Sequence, residues 1–379
     1  MNLDLIKLAQ ALERARTPEE VFGGDNLPQE ERAKAVRSAY HRLARIAHPD
    51  RYQEPDDRVL AGRTFQVLTE WLRAANAFLA AQAYGNPEHR VRKVTVKTQR
   101  REYQVDVAYT VDGIYNAYPC QYRNLGRPCT SILKVVRRPV DNDLAVHEAQ
   151  TLETLRRGWM ARKFSPYLPR LIEAFAYLRG GLPLQALVLE AETGWYSLEE
   201  VRAAYPSGVN PKDMAWIWRR LLVVLGYAHA RGFLHLAVLP GNIWIQPELH
   251  GLQLRSWTHA LNLRVDPTRP MHRIDPARLH WYPARAGTQP STRMDIVMGA
   301  KSMLYLLGGD PHTDNIPNNI PKPIATFLRG STLPGLGAPQ DAWALKGEFD
   351  ELLEALWGER KFHPFTMPNQ FKPKEVHNG

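Results

Sequence analysis

A histidine, a proline and an aspartate stand together at His48-Pro49-Asp50, directly after a stretch rich in cations: Arg32, Lys34, Arg37, Arg42 and Arg45. Pro49 disfavours helix at His48, so the tripeptide marks a rigid turn that presents one carboxylate. A stripe of guanidiniums beside such a turn steers a surface toward an acidic partner. The plainer reading is a helix-ending turn with a solvated basic face, and three residues alone recur by chance. Other chemistry-bearing residues are scattered. His235, His259 and His272 are dispersed, and nothing has zinc-ligand spacing. The two cysteines, Cys120 and Cys129, exclude a disulfide framework and a four-cysteine zinc site; two reduced, buried thiols are expected. Neither a metal site nor a cofactor is expected.

Apolar spacing shows the elements that must position the turn. Residues 2–16 place Leu5, Leu8, Ala9 and Leu12 on one helical stripe, and residues 29–47 place Ala33, Val36, Tyr40, Leu43, Ala44 and Ala47 on another. A third helix, about residues 58–81, carries Leu60, Phe65, Leu68, Leu72, Ala75 and Leu79. Pro28, Glu30 and Glu31 suit the start of the second helix. Tyr84-Gly85-Asn86-Pro87 reads as a linker. Beyond residue 90 the period changes. Strands are expected at 94–98, 103–109, 114–122, 131–136, 171–178 and 184–190, with one helix at 143–156. Helices then dominate: 197–204, 211–231, 294–307 and 341–356. Strands with one inserted helix, followed by a helical half, predict an α+β body with two lobes. Trp216 and Trp218, two apart on a helix, face different directions and suit core or interlobe packing.

The chain has 379 residues, 44% of them hydrophobic and 23% charged, a globular composition of more than one domain. No window approaches eighteen apolar residues, and the first twenty residues lack a secretory core, so neither a membrane span nor an exported protein is expected. A reducing cytoplasm is the expected location. The net charge of +10 resides entirely beyond residue 85, because residues 1–85 hold 12 basic and 12 acidic residues. Only Arg90-Val91-Arg92-Lys93 with Lys97, Arg100 and Arg101 is concentrated, and its interleaved valines fit a solvated strand face. A generally basic surface explains the excess, and no nucleic-acid partner is expected.

The stretch Val36-Arg37-Ser38-Ala39-Tyr40-His41-Arg42-Leu43-Ala44 through His48-Pro49-Asp50-Arg51 resembles the J-domain of DnaJ-type co-chaperones over about residues 17–80, with Phe65 and Leu68 on the helix that follows. The resemblance implies an all-α J-domain that docks on a DnaK-type heat-shock ATPase and triggers its hydrolysis. His48, Pro49 and Asp50 would carry the trigger; Tyr40, Arg37 and Arg42 would belong to the docking face. Two departures stand out. No Gly/Phe-rich linker or Cys-rich zinc module follows, and residues 22–27 form a longer, glycine-containing separation between the first two helices.

About residues 91–360 resemble the protein-kinase fold. Ser131-Ile132-Leu133-Lys134-Val135 is similar to the strand bearing the phosphate-contacting lysine, and Glu148 falls where the inserted helix supplies its ion-pair partner. His235-Leu236-Ala237-Val238-Leu239-Pro240-Gly241-Asn242-Ile243 resembles the catalytic loop, and Asp295-Ile296-Val297-Met298-Gly299 the start of the large buried helix. By the same resemblance the catalytic aspartate is replaced by Ala237 and the magnesium-holding aspartate by Ser256, while Asn242 remains. A hydroxyl is a poor ligand for a hard cation. The phosphate-covering loop, Val111-Asp112-Gly113-Ile114, offers one glycine. Arg285 and Ala338 stand where the family pairs a buried acid with an arginine, so both partners are lost. Lys134 and Glu148 then read better as a structural ion pair than as a nucleotide grip.

The resulting layout is an all-α J-domain (1–86), then an α+β two-lobed kinase-like fold (91–195 and 196–362) and a loose tail (363–379). The expected function is a cytoplasmic co-chaperone adaptor: the J-domain stimulates a DnaK-type ATPase, and a pseudokinase, not an enzyme, binds a client or partner protein. Two alternatives stand beside it. One is an atypical phosphotransferase or nucleotidyl-transferase with relocated acids (Glu190, Glu192, Asp266, Asp275); the other is a basic nucleic-acid-binding module.

Overall fold

The computed structural model describes residues 2–15, 17–80, 82–86, 93–179, 181–191, 194–265, 276–283, 289–333 and 341–369. Pro87, Arg90, Val91, Arg92, Glu192, Asp266, His272, Asp275, Arg285, Ala338 and the tail from residue 370 lie outside these described residues. Two compact units divide the chain, Met1–Cys129 and Thr130–Gly379.

The first unit opens with helices α1 (Leu3–Arg14), α2 (Pro18–Phe22), α3 (Gln29–Ala47) and α4 (Pro55–Ala80). Their stripes meet in a core of Leu8, Leu12, Phe22, Val36, Ala39, Ala47, Leu68, Trp71, Ala75 and Tyr84. Helix α2 was not expected. Thr17 caps it by accepting from the Glu20 amide, and Pro18 opens its first turn. Tyr84 and Gly85 are not a free linker but part of this packing. The Tyr84 hydroxyl donates to Gly23 O at 2.7 Å, and the Gly85 amide donates to Glu19 Oε1 at 2.8 Å. Gly85 has φ +68°, and a Cβ there would lie 2.7 Å from Asp25 O, so any other residue would be strained.

Four strands follow: β1 (Lys93–Lys97), β2 (Glu102–Asp106), β3 (Thr110–Asp112) and β4 (Tyr115–Asn124). β1 pairs with β2; β2 and β3 pair in turn with the two halves of β4, all antiparallel. The strand expected over 103–109 ends at Asp106, and β3, beyond the expected span, was not foreseen. Gly113, at φ +58°, makes the tight β3–β4 turn. Lys97 pairs with Glu102 at 3.2 Å on a largely exposed β1. Cys120 is buried, but Cys129 is only half-buried, correcting the expectation of two buried thiols.

Strand β5 (Arg127–Val136) crosses into the second unit, where it pairs antiparallel with β7 (Leu182–Glu190), and β7 with β6 (Leu171–Arg179). Between β5 and β6 lie α5 (Asn142–Leu155) and the short α6 (Ala161–Phe164). The helical part then runs through β8 (Tyr196–Ser197), α7 (Leu198–Ala204), α8 (Pro211–Ala230), β9 (Phe233–Leu234), β10 (Ile243–Gln246), β11 (Gly251–Leu254) and β12 (Leu261–Asn262). It closes with α9 (Thr292–Leu306), α10 (Lys322–Thr332) and α11 (Ala342–Trp357). Helices α8 and α9 form the centre of the core. They approach so closely that a Cβ on Gly299 would sit 2.8 Å from the Trp218 ring. Trp218 is fully buried, whereas Trp216 stacks on His250 with ring centroids 4.2 Å apart.

The stretch expected as a loose tail begins as a strap fastened to α8. His363 Nδ1 lies 2.8 Å from the buried Asp213 carboxylate, and His250 is sandwiched between Trp216 and Phe362. Phe365 and Met367 are buried beyond it. Among the described residues no helix is long and apolar enough to cross a membrane.

Candidate functional site

In the first unit, the His48-Pro49-Asp50 turn joins α3 to α4. The last carbonyls of α3 are satisfied from just beyond it: Arg51 donates to Arg45 O at 2.7 Å and the Tyr52 hydroxyl to Ile46 O at 2.6 Å. His48 Nδ1 accepts from the Asp50 amide at 3.3 Å, and its ring meets Phe65 edge-on at 5.7 Å. Asp50 stays outward, its side chain 74% exposed, with Arg58 3.9 Å away. Arg37, Arg42, Arg45 and Lys34 are exposed along α3, and Tyr40 is half-buried against the core. Arg32 does not join that face; it bonds the carbonyls of Leu27 and Tyr84.

In the second unit, β5 carries Lys134 opposite Leu187, and α5 carries Glu148. Lys134 Nζ and Glu148 Oε1 are 4.0 Å apart, with side-chain exposures of 5% and 0%. Glu148 is shared further. Its Oε1 accepts from the Trp257 amide at 3.2 Å, and its Oε2 from the Thr258 hydroxyl at 2.9 Å. His147, one residue earlier, bonds Ala260 O at 2.7 Å. Helix α5 is therefore held to the segment after β11 by three side-chain contacts, two of them with the Glu148 carboxylate.

The 235–242 loop is held from the core beneath it. The fully buried Asp295 of α9 accepts the Leu236 amide at 2.7 Å, the His235 amide at 2.8 Å and a His229 contact at 3.0 Å. Ser302 donates to Val238 O and Tyr282 to Leu236 O. Leu236 adopts φ +58°, a conformation a side-chain-bearing residue takes only when its surroundings impose it. His235 accepts the Ala237 amide at Nδ1, so Nε2 carries the proton donated to Arg255 O at 2.9 Å. Burial pushes this imidazole down to about 4.

That depression has a consequence for stability. His235 takes up a proton readily when unfolded but not when folded, so stability is full above pH 6.5 and falls as pH drops toward 4. Urea unfolding at pH 7.5, 5.5 and 4.5 should show this slope, and His235→Gln should flatten it. A slope unchanged by the substitution would refute the assignment.

Several of the positions named in the kinase-like unit lie close together. Asn242 donates to Ala237 O at 2.9 Å, and Ser256, in left-handed backbone at φ +62°, stands two residues beyond the end of β11. Next to it Trp257 meets the His235 ring edge-on at 4.6 Å. Ala237 brings no functional group to the loop. Among the described residues, no group of three or more His, Cys, Asp or Glu is placed to share a metal ion. Of the acids considered as substitutes, Glu190 pairs with Arg170 at 3.1 Å; the other three lie outside the described residues. Sequence reasoning missed the Thr258 hydroxyl and the anchoring role of Asp295, because both act through tertiary partners more than fifty residues away.

An antiparallel sheet followed by many helices, a buried lysine–glutamate pair and a loop anchored by a buried aspartate fit a protein-kinase-like fold, and comparison with solved structures agrees. Vaccinia related kinase 3 is similar over 70% of this chain and 92% of its own, at 15% identity and a TM-score of 0.51. The BubR1 kinase domain is similar over 70% of this chain and 84% of its own, at 14% identity and a TM-score of 0.55. No protein-family model matches the chain, and none of the curated proteins matches it in sequence.

Proposed function

We propose that this chain is a co-chaperone adaptor: its N-terminal helices act as a J-domain that stimulates a DnaK-type heat-shock ATPase, and its kinase-like unit is a pseudokinase that binds a client or partner protein. The observation that carries this reading is the exposed His48-Pro49-Asp50 turn between two packed helices, with Arg37 and Arg42 exposed on the helix leading into it. A rigid turn bearing one outward carboxylate beside a cationic stripe suits docking on a charged partner surface. Adding the full chain to the DnaK-type chaperone of the same host should raise its single-turnover ATP hydrolysis; no change in rate would sink the proposal.

The residues at positions 237 and 256 support the second half of the reading. Phosphoryl transfer in this fold is positioning and charge stabilisation, and Ala237 and Ser256 offer no carboxylate for either. The full chain with magnesium and ATP should therefore show little or no rise in melting temperature and no transfer of labelled phosphate. A magnesium-dependent shift with label on protein, both lost in Lys134→Ala, would replace the pseudokinase with an active phosphotransferase.

A further inference from the structure

Strands β10 and β11 alternate sharply between two environments. Ile243, Ile245, Leu252 and Leu254 are buried in the core, whereas Trp244, Gln246 and Gln253 are half-buried and alternate to the opposite side, with Trp244 directly across from Gln253. Arg255 continues that second row. The Trp244 indole is pinned at its polar edge, where Nε1 donates to Gly241 O at 2.9 Å. Over the ring lies the Arg255 guanidinium, its central carbon 4.0 Å from the Trp244 centroid and 5.8 Å from the Trp195 centroid. Arg255 Nε donates to Gln253 Oε1 at 3.3 Å, and the Arg255 amide donates to Asn242 O at 2.8 Å. The stack thus adjoins Asn242 and Ser256, two residues from the amide that Glu148 holds.

We infer that Arg255 is a built-in occupant of the Trp244 ring face, covering the aromatic surface on which a flat ligand such as a nucleobase would otherwise stack. A guanidinium is planar, weakly hydrated and attracted to an indole face, so it stacks where an aromatic ring would. At 4.0 Å it is in van der Waals contact with the ring, and no second planar group fits between them. The inference rests on the reading of the kinase-like unit as catalytically silent, but it concerns a different part of the ligand. Missing carboxylates weaken the hold on magnesium and phosphates; Arg255 excludes the base.

Adenosine separates the two effects, because it has neither phosphate nor need of magnesium. Its binding to the full chain is measured by saturation-transfer NMR for wild type, Arg255→Ala and Arg255→Lys. Alanine should tighten binding roughly tenfold, the size of one cation–π contact at a half-buried site, and lysine less, since an ammonium cannot lie flat on the ring. Equal affinity in wild type and Arg255→Ala, or no binding to either, would overturn the inference. If the alanine variant does not fold, Arg255→Lys carries the same test. Labelled ATP is added to the same samples. A wild type that binds adenosine as tightly as the variant but transfers no phosphate overturns the role of Arg255 alone; one that transfers phosphate overturns the catalytically silent reading as well.

Discussion

Asp295→Ala is expected to destabilise the second unit by about 3–5 kcal/mol, the range for removing one partner of a buried charged network. Asp295 is fully buried and accepts the amides of His235 and Leu236 as well as the contact from His229. Alanine leaves two buried backbone N–H groups without an acceptor and opens a small cavity beneath the 235–242 loop. In a body of this size the loss corresponds to a fall in melting temperature of roughly 6–20 °C. Asp295→Asn keeps one acceptor and should lose about half as much. Calorimetry on the full chain decides the matter. A change of the size seen for an ordinary surface substitution would show that the loop is held by something other than this carboxylate.

The second large effect is on partner activation. Asp50→Asn should cut stimulation of the DnaK-type ATPase roughly ten- to hundredfold, the worth of about 1.5–3 kcal/mol for a hydrogen bond to a charged group. His48→Gln should do the same, because the ring that contacts Phe65 and the nitrogen that accepts the Asp50 amide together set the turn. Both side chains are at least half exposed, so neither substitution should move the melting temperature appreciably. Arg37→Ala with Arg42→Ala should weaken stimulation most at low salt, where steering is least screened. Undiminished stimulation by Asp50→Asn and His48→Gln would remove the J-domain assignment while leaving the kinase-like fold intact.

How far the sequence could be read depended on how locally each feature is determined. Helix α3 spans 29–47 as its apolar stripe requires, and α5 and α8 differ from expectation by a residue or so at their ends. Lys134, Glu148 and the 235–242 loop could be found because their order and spacing along the chain are themselves distinctive. Helix α2 escaped because five residues are too few to display a period. Helix α10 escaped because Pro321, Pro323, Gly330 and Thr332 resemble loop composition, although proline at a first turn is compatible with helix. The Arg255–Trp244 stack could not be foreseen, since nothing in an alternating strand pattern says that a cation will fold back over an indole. The strap failed for the same reason. His363 looks like tail until Asp213, 150 residues earlier, is seen beside it.

That separation has a consequence in time. On the ribosome, Asp213 emerges long before the strap whose His363 meets it. At about 5–20 residues per second, synthesis of the intervening 150 residues takes roughly 8–30 seconds. The helices of the first unit close on contacts such as Trp71 with Leu12, only 59 residues apart, and are complete while this interval runs. A nascent chain therefore spends many seconds with its helical block finished and the Asp213 carboxylate still without its histidine, so any factor that shields that carboxylate must act before residue 363 leaves the exit tunnel.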